Sequence, residues 1–356
     1  MRRTRTSAHS SVAKLVAMLA ALFLLAAACG DDDGGSDDAD STEDTVEVDG
    51  DEAAAEGEEA SGDDMADWPE KLVFAAVPSE ESTALEEGYA PILNVLSDEL
   101  GIEIEFFQAS DYAGVIEGMI AGNVDLAQFG PFSYVIAESN GAAIRPVGSM
   151  VDAPDEEPGY QSFGITQGDN AEIESIEDFE GKTVCFVDPG STSGFLYPSA
   201  GLIEAGIDPD ADITPTFAGG HDASAISVAN GDCEAGFAFD AMVSEILIQD
   251  GSIAEGDLKV VWESETIAGS PLAVRTELPQ SLLDEIDRII IELANNDYLL
   301  ENGYCGDPDD AELRERGCEL TDEAAWGYVP VDDSFYDGVR AVCAATRAES
   351  CEGVGG

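Results

Sequence analysis

Residues 102–131 read "IEIEFFQASDYAGVIEGMIAGNVDLAQFGP" and hold one complete round of the folding pattern. "IEIEFFQ" alternates apolar and polar side chains with the period of a strand. "DYAGVIEGMIAG" spaces its apolar residues as a helix does and closes on Gly122. "VDLAQFGP" is a short apolar run of the kind that is buried within a sheet. A strand, a helix and a strand with short joints pair their strands in parallel and lay the helix on the sheet face.

The same order extends in both directions. "KLVFAAVP", from Lys71, reads as a strand, and "STALEEGYAPILNVLSDELG" after it reads as a helix stopped by Gly101. A second series begins near Ile176 with "IEDFEGKTVCFVD", a helix from Ser191, the strand "ITPTFAGG" and the helix "DASAISVANG". It continues with the strand "CEAGFAFD" and the helix "AMVSEILIQ", and from about Pro271 come the strand "PLAVRT" and mostly helical sequence. The chain crosses between the two series near "PGYQSFGITQ" and again near "SETIAGSPLAVRT", which predicts a two-lobed α/β protein. In open α/β sheets, ligands bind beyond the carboxyl ends of the strands. Those ends read "VPSEES", "ASDYAG", "QFGPFS", "VDPGSTSG", "AGGHDA" and "AFDAMV", rich in hydroxyl, glycine and carboxylate groups.

Charge excludes one class of partner. The 356 residues carry 76 acidic and 14 basic side chains, a net charge of -62, so nucleic acid is repelled rather than steered. The amino-terminal end is a different kind of segment. "MRRTRTSAHSSVAK" is a basic leader and "LVAMLAALFLLAAA" an apolar run too short to span a bilayer comfortably. "LLAAACG" then places small residues before Cys29, the arrangement of a bacterial lipoprotein cleavage site with Cys29 as the lipidated first residue. Residues 30–67 are acidic and rich in Gly, Ser and Ala, with almost no core-forming side chains, and are expected to be a disordered tether. Together these predict a chain anchored by lipid to the outer face of the cell membrane, with its folded part from residue 68.

Seven cysteines leave six after Cys29, an even number that suggests disulfides in an exported protein. Cys305 and Cys318 bracket a polar loop, Cys343 and Cys351 bracket the last short segment, and Cys185 and Cys233 each begin an apolar run. These are the preferred pairings. No metal or cofactor site is indicated, since there are two His residues, one of them in the leader, and no CxxC spacing.

In "VDPGSTSGF", Ser191, Thr192 and Ser193 fall where a helix begins. First-turn amides lack intrahelical partners and meet the positive end of the helix dipole, so adjacent hydroxyls complete a cradle for an oxyanion. A single Ser or Thr suffices for plain N-capping, which is the alternative reading of this run. Asp111 is placed to cap a helix and leave Tyr112 free to project into a cleft, and His221 stands at another loop-to-helix junction.

"SDYAGVIEGMIAGNVDLAQFGPFSYV", "EPGYQS", "FEGKTVCFVDPGSTSGFLYP" and "GGHDASAISVANGDCEAGFAFD" together resemble the phosphonate/phosphite-binding proteins of ABC importers, the PhnD-like family. The likeness runs in order from about Lys71 to about Arg275. It implies the type II periplasmic-binding-protein fold, with two mixed sheets flanked by helices, two crossover strands, and lobes at residues 68–162 and 163–266 with a return to the first lobe from 267. It implies that Ser191, Thr192 and Ser193 hold the phosphonyl oxygens, with further contacts from Tyr112, Tyr160, His221 and the segment containing Ser79. Asp111, Asp222 and Asp240 are candidates to accept a proton carried by the ligand, and Asp240 lies near a position where members that take aminoalkylphosphonates hold the ammonium group. Ser270 stands where members that take aminoalkylphosphonates carry an acid, which argues against a 2-aminoethyl substrate. The partners implied are a small phosphorus oxyanion and an ABC permease, and the chain is expected to be a monomer and not an enzyme. Other readings are a phosphate or other oxyanion carrier, a sensory lipoprotein, or a hydrolase using Ser191 or Ser193 with His221 and Asp188 or Asp222.

The self-repulsion of so much surface charge is screened by salt. The melting temperature is expected to rise between low and high salt in a thermal scan; an unchanged value would refute this.

Overall fold

Alternating burial along Lys71–Ala76 (β1) puts Leu72 and Phe74 on one face of a sheet and Ala75 on the other, each with a core of its own. The structure is a computed structural model that describes residues 66–79, 82–318, 320–321, 325–346 and 348–354. The leader, Cys29 and all but the last two residues of the 30–67 tether lie outside the described residues. After β1 come Glu103–Phe107 (β2), Leu126–Gln128 (β3), Ile144–Val151 (β4), Gly159–Tyr160 (β5) and Ser162–Gln167 (β6). Thr183–Phe186 (β7), Thr214–Phe217 (β8), Ala235–Phe239 (β9) and Leu258–Glu263 (β10) follow, then Ile267–Ala268 (β11), Pro271–Arg275 (β12) and Gly327–Val329 (β13). The helices that matter below are Ser82–Leu100 (α1), Tyr112–Ile120 (α2), Pro131–Ser139 (α3), Tyr197–Glu204 (α4) and His221–Asn230 (α5).

The first lobe is a six-stranded sheet in the order β13-β4-β12-β3-β1-β2. β1 pairs in parallel with β2 and β3, the arrangement that strand–helix–strand units impose. β12 lies antiparallel to both β3 and β4, and β13 antiparallel to β4. The sheet is therefore mixed, as the family resemblance implies, because β12 returns from the second lobe and enters from the opposite end. The second lobe is a five-stranded sheet, β10-β6-β9-β7-β8, parallel at β8-β7-β9 and antiparallel where β6 meets β9 and β10. β5 and β11 form a small antiparallel pair, with Ile267 opposite Tyr160, in the two segments that cross between the lobes.

On one face of the first sheet, Tyr89, Ile92 and Leu96 of α1 pack with Leu72, Phe74, Leu126 and Leu272. On the other, Val115 and Met119 of α2 and Phe132 and Val135 of α3 pack with Ala75, Ala127 and Phe129. That second core continues into Val187, Leu196 and Tyr197 of the other lobe, so apolar burial joins the lobes beside the crossovers.

The disulfides are Cys185–Cys233, Cys305–Cys318 and Cys343–Cys351. The first ties β7 to the approach to β9, its parallel neighbour, and closes 48 residues of chain. In the chain-entropy account a loop of that length is worth ~4 kcal/mol. The pair Cys185→Ala and Cys233→Ala is expected to lower unfolding stability by roughly 2–4 kcal/mol in urea titration; an unchanged midpoint would refute that role.

Candidate functional site

β7 ends at Phe186, and the chain turns at Pro189-Gly190 before entering a helix. The Gly190 amide donates to the Asp188 carboxylate at 2.7 Å and the Ser191 amide to the Asp188 carbonyl at 2.9 Å, which pins the turn. Ser191 is the N-cap, its Oγ accepting from the Gly194 amide at 3.0 Å. The first turn, Thr192–Leu196, is widened into a π-helix in which the Leu196 amide reaches back to the Ser191 carbonyl at 3.0 Å. Such single π-turns recur at functional sites because they re-aim side chains. Gly194 is required here, since a Cβ would sit 2.3 Å from Val187 Cγ2. The result is three hydroxyl side chains, Ser191, Thr192 and Ser193, each only 2% exposed, at the positive end of a helix.

His221 opens α5 and is buried beside them. Its Nδ1 accepts from the Phe239 backbone amide at 3.1 Å. A backbone N–H only donates, so the neutral ring carries its proton on Nε2, which lies 3.3 Å from Ser191 Oγ. Ser191 Oγ therefore accepts from both Gly194 N–H and the imidazole, and its own hydrogen is left to point elsewhere.

The first lobe faces this cradle with the ends of β1, β3 and β12. Ser79, Gln128, Gly130 and Ser270 come from those ends, with Tyr89 from α1 and Tyr112 from the start of α2. With Tyr160 from β5 and Phe239 from β9, they line a cavity of about 20 Å³, taken as room for the centre of a water-sized sphere. One water needs roughly 10–15 Å³ on that measure, so the space suits a compact group and no extended chain. The starts of α2, α3, the Thr192 turn and α5 all converge on it. Among the described residues that line it, none is basic or acidic apart from the neutral His221.

Hydrogen bonds among the described residues join the lobes around the cavity. The Phe132 amide at the start of α3 donates to Thr192 Oγ1 at 2.8 Å. The His221 amide donates to the Ser79 carbonyl at 2.7 Å, and the Tyr112 amide donates to the Asp188 carboxylate. Burial pushes Asp188 above the usual carboxylate range, and the Gly190 and Tyr112 amides oppose that shift.

Of the residues singled out from the sequence, Ser79, Tyr112, Tyr160, Ser191, Thr192, Ser193 and His221 line the one cavity. Asp111 and Asp240 do not. Asp111 is exposed and spends its carboxylate on capping α2, accepting from the Gly114 amide at 2.8 Å. Asp240 accepts from the Gln161 and Ala241 amides at 3.1 and 3.0 Å and faces a separate groove shared with Asp152, Glu156, Glu157 and Glu245. Burial raises its carboxyl, with those amide donors opposing the shift. Gln128 and Tyr89 were not singled out, although a lone amide at the end of the apolar run "VDLAQF" is the one sequence mark Gln128 carries.

A Ser–His hydrolase needs an Nδ1–H oriented by a carboxylate and an imidazole that takes up a proton near neutral pH. Here Nδ1 is an acceptor, and burial pushes the His221 imidazole down to about 3. The unfolded imidazole titrates near about 6.5, so the unfolded chain takes up this proton first as pH falls. Stability is undiminished by this group above about 6.5 and declines as pH falls toward about 3. Urea midpoints between neutral and mildly acid pH are expected to fall more steeply for the wild type than for His221→Gln; parallel curves would refute this.

Comparison with known proteins agrees with this geometry. Residues 74–336 match the family described as "ABC transporter, phosphonate, periplasmic substrate-binding protein". The chain is 46% identical over 354 residues to the "Phosphate-import protein PhnD" of Mycolicibacterium smegmatis, covering 97% of this chain and 99% of that one. A binding protein component of an ABC phosphonate transporter from Pseudomonas aeruginosa superposes with a TM-score of 0.65 at 25% identity, covering 78% of this chain and 86% of that one. PhnD1 of Prochlorococcus marinus, solved in complex with methylphosphonate, gives a TM-score of 0.65 at 18% identity over 78% of this chain and 99% of that one. With the type II two-lobed fold, the matched family model and a full-length relative in agreement, the chain belongs to the periplasmic substrate-binding proteins of phosphonate ABC transporters.

Proposed function

We propose that the chain captures a small tetrahedral phosphorus oxyanion between its lobes and delivers it to an ABC permease. The observation that carries this reading is the interlobe cavity lined by neutral donors at converging helix starts, with no acidic side chain among its described lining residues. Ser191, Thr192 and Ser193 hold the oxyanion oxygens, Ser79, Tyr112 and Tyr160 complete the ring of donors, and His221 Nε2–H on Ser191 Oγ turns that hydroxyl's own hydrogen toward the ligand. Such donors stabilise charge by directed hydrogen bonds and leave no buried cation unpaired in the open protein. Closure is the working step, because ligand contacts from both lobes exist together only when the lobes meet. The 46% identical relative, a phosphate-import protein, supports the substrate class. The leader and Cys29 support a chain held by lipid at the outer face of the membrane, with the acidic segment as its tether.

Isothermal titration with phosphate, phosphite, methylphosphonate and 2-aminoethylphosphonate tests the reading. Heat is expected for at least one of the first three. 2-Aminoethylphosphonate should bind more weakly, because none of the described lining residues offers a carboxylate to hold its ammonium. Thr192→Val leaves the Phe132 amide without its acceptor and is expected to weaken every ligand by roughly tenfold or more. Absence of heat with all four anions would overturn the proposal.

A further inference from the structure

Gln128 is a buried amide on an otherwise apolar sheet face. It ends β3, two residues after Leu126 and on the same face, where Leu72, Phe74 and Leu272 form a core. It is 2% exposed. Its Oε1 accepts from the Tyr328 hydroxyl of β13 at 3.0 Å, which holds the amide in place. Its Nε2 has no hydrogen-bond partner among the described residues, and the side chain lines the interlobe cavity. A buried amide with an unused donor is destabilising where it stands, and folded proteins rarely keep one without a use. Plain core filling at this position would be served by Leu or Met.

We propose that Gln128 is the specificity-determining residue of the cavity. Its amide hydrogen-bonds the fourth substituent on phosphorus and favours a hydroxyl there over a methyl group or a hydrogen. Inorganic phosphate is then preferred to methylphosphonate and phosphite. The inference rests on the reading of the cavity as a phosphorus-oxyanion site. The hydroxyls of Ser191, Thr192 and Ser193 come from the other lobe and serve the three oxygens that all these ligands share. With Oε1 held by the Tyr328 hydroxyl, Nε2–H is the group left to donate to a fourth oxygen. Turned by half a rotation, the amide donates to Tyr328 and offers Oε1 to the P–O–H hydrogen. Either orientation satisfies a hydroxyl, and neither satisfies a methyl group.

Calorimetric titration of the full chain with phosphate, methylphosphonate and phosphite tests this. The wild type is expected to prefer phosphate to methylphosphonate by roughly tenfold or more, the penalty for leaving a buried polar group unpaired. Gln128→Leu is expected to weaken phosphate by roughly tenfold or more and to leave methylphosphonate within about threefold, so the ratio collapses. Tyr328→Phe, which releases the amide but keeps the core filled, should move the ratio in the same direction by less. If Gln128→Leu does not fold, Gln128→Met and Tyr328→Phe are judged by the same ratio. A wild type that binds methylphosphonate as tightly as phosphate overturns the inference, as does a variant that weakens all three ligands equally. Binding of none of the three by the wild type removes the phosphorus reading itself. Binding with a ratio unmoved by Gln128→Leu removes only the role of Gln128.

Discussion

The hydrogen bond from the Phe132 amide to the Thr192 hydroxyl, 2.8 Å across the lobes, sets the terms for the rest of the site. A hydroxyl that accepts there still has a hydrogen to donate, so one side chain both joins the lobes and serves the cavity. The donor is the first turn of α3 in the first lobe and the acceptor is the first turn of a helix in the second. The donor is a first-turn amide that its own helix cannot satisfy, and the acceptor is a side-chain hydroxyl. Drawing the lobes together gives the Phe132 amide an acceptor and at the same moment assembles the cavity walls from both sides. The His221 amide to Ser79 carbonyl and the Tyr112 amide to Asp188 carboxylate repeat the device at the two flanks.

A net charge of -62 opposes long-range attraction of an anion, and the cavity relies on short-range donors. Its polarity comes from hydroxyls, one side-chain amide, one neutral imidazole and helix starts, all of which act over a single contact distance. His221 belongs in that company because the Phe239 amide and complete burial keep it uncharged. Three carboxylates at these strand ends are spent on backbone amides: Asp111 on Gly114, Asp188 on Gly190 and Tyr112, Asp240 on Gln161 and Ala241. Each thereby shapes a turn at the cavity edge and keeps its charge out of the cavity.

Much of this is visible in the chain before it folds, and the reasons differ by residue. Ser191, Thr192, Ser193 and His221 are marked by position, since polar residues between an apolar run and a helix must lie at a strand end. Asp111 is marked by the same rule, yet its role as a cap uses up the carboxylate. Asp240 follows β9 by one residue, and the twist of the chain into the next turn carries it to a different groove. Gln128 has no pattern to betray it, because a single amide in a strand of three described residues has no period.

The sequence by itself determined the order of strands and helices, the two series with their crossings, and the placement of hydroxyls at helix starts. Those follow from local rules of periodicity, capping and turn chemistry, which act within a few residues. Tertiary structure alone decided that β12 and β13 run against β3 and β4, and that Asp240 turns away while Gln128 turns in. It also decided that His221 is neutral, since Phe239, eighteen residues on, supplies the amide that occupies Nδ1. Each of these depends on which distant segments a residue meets after burial, and local spacing carries no record of such meetings.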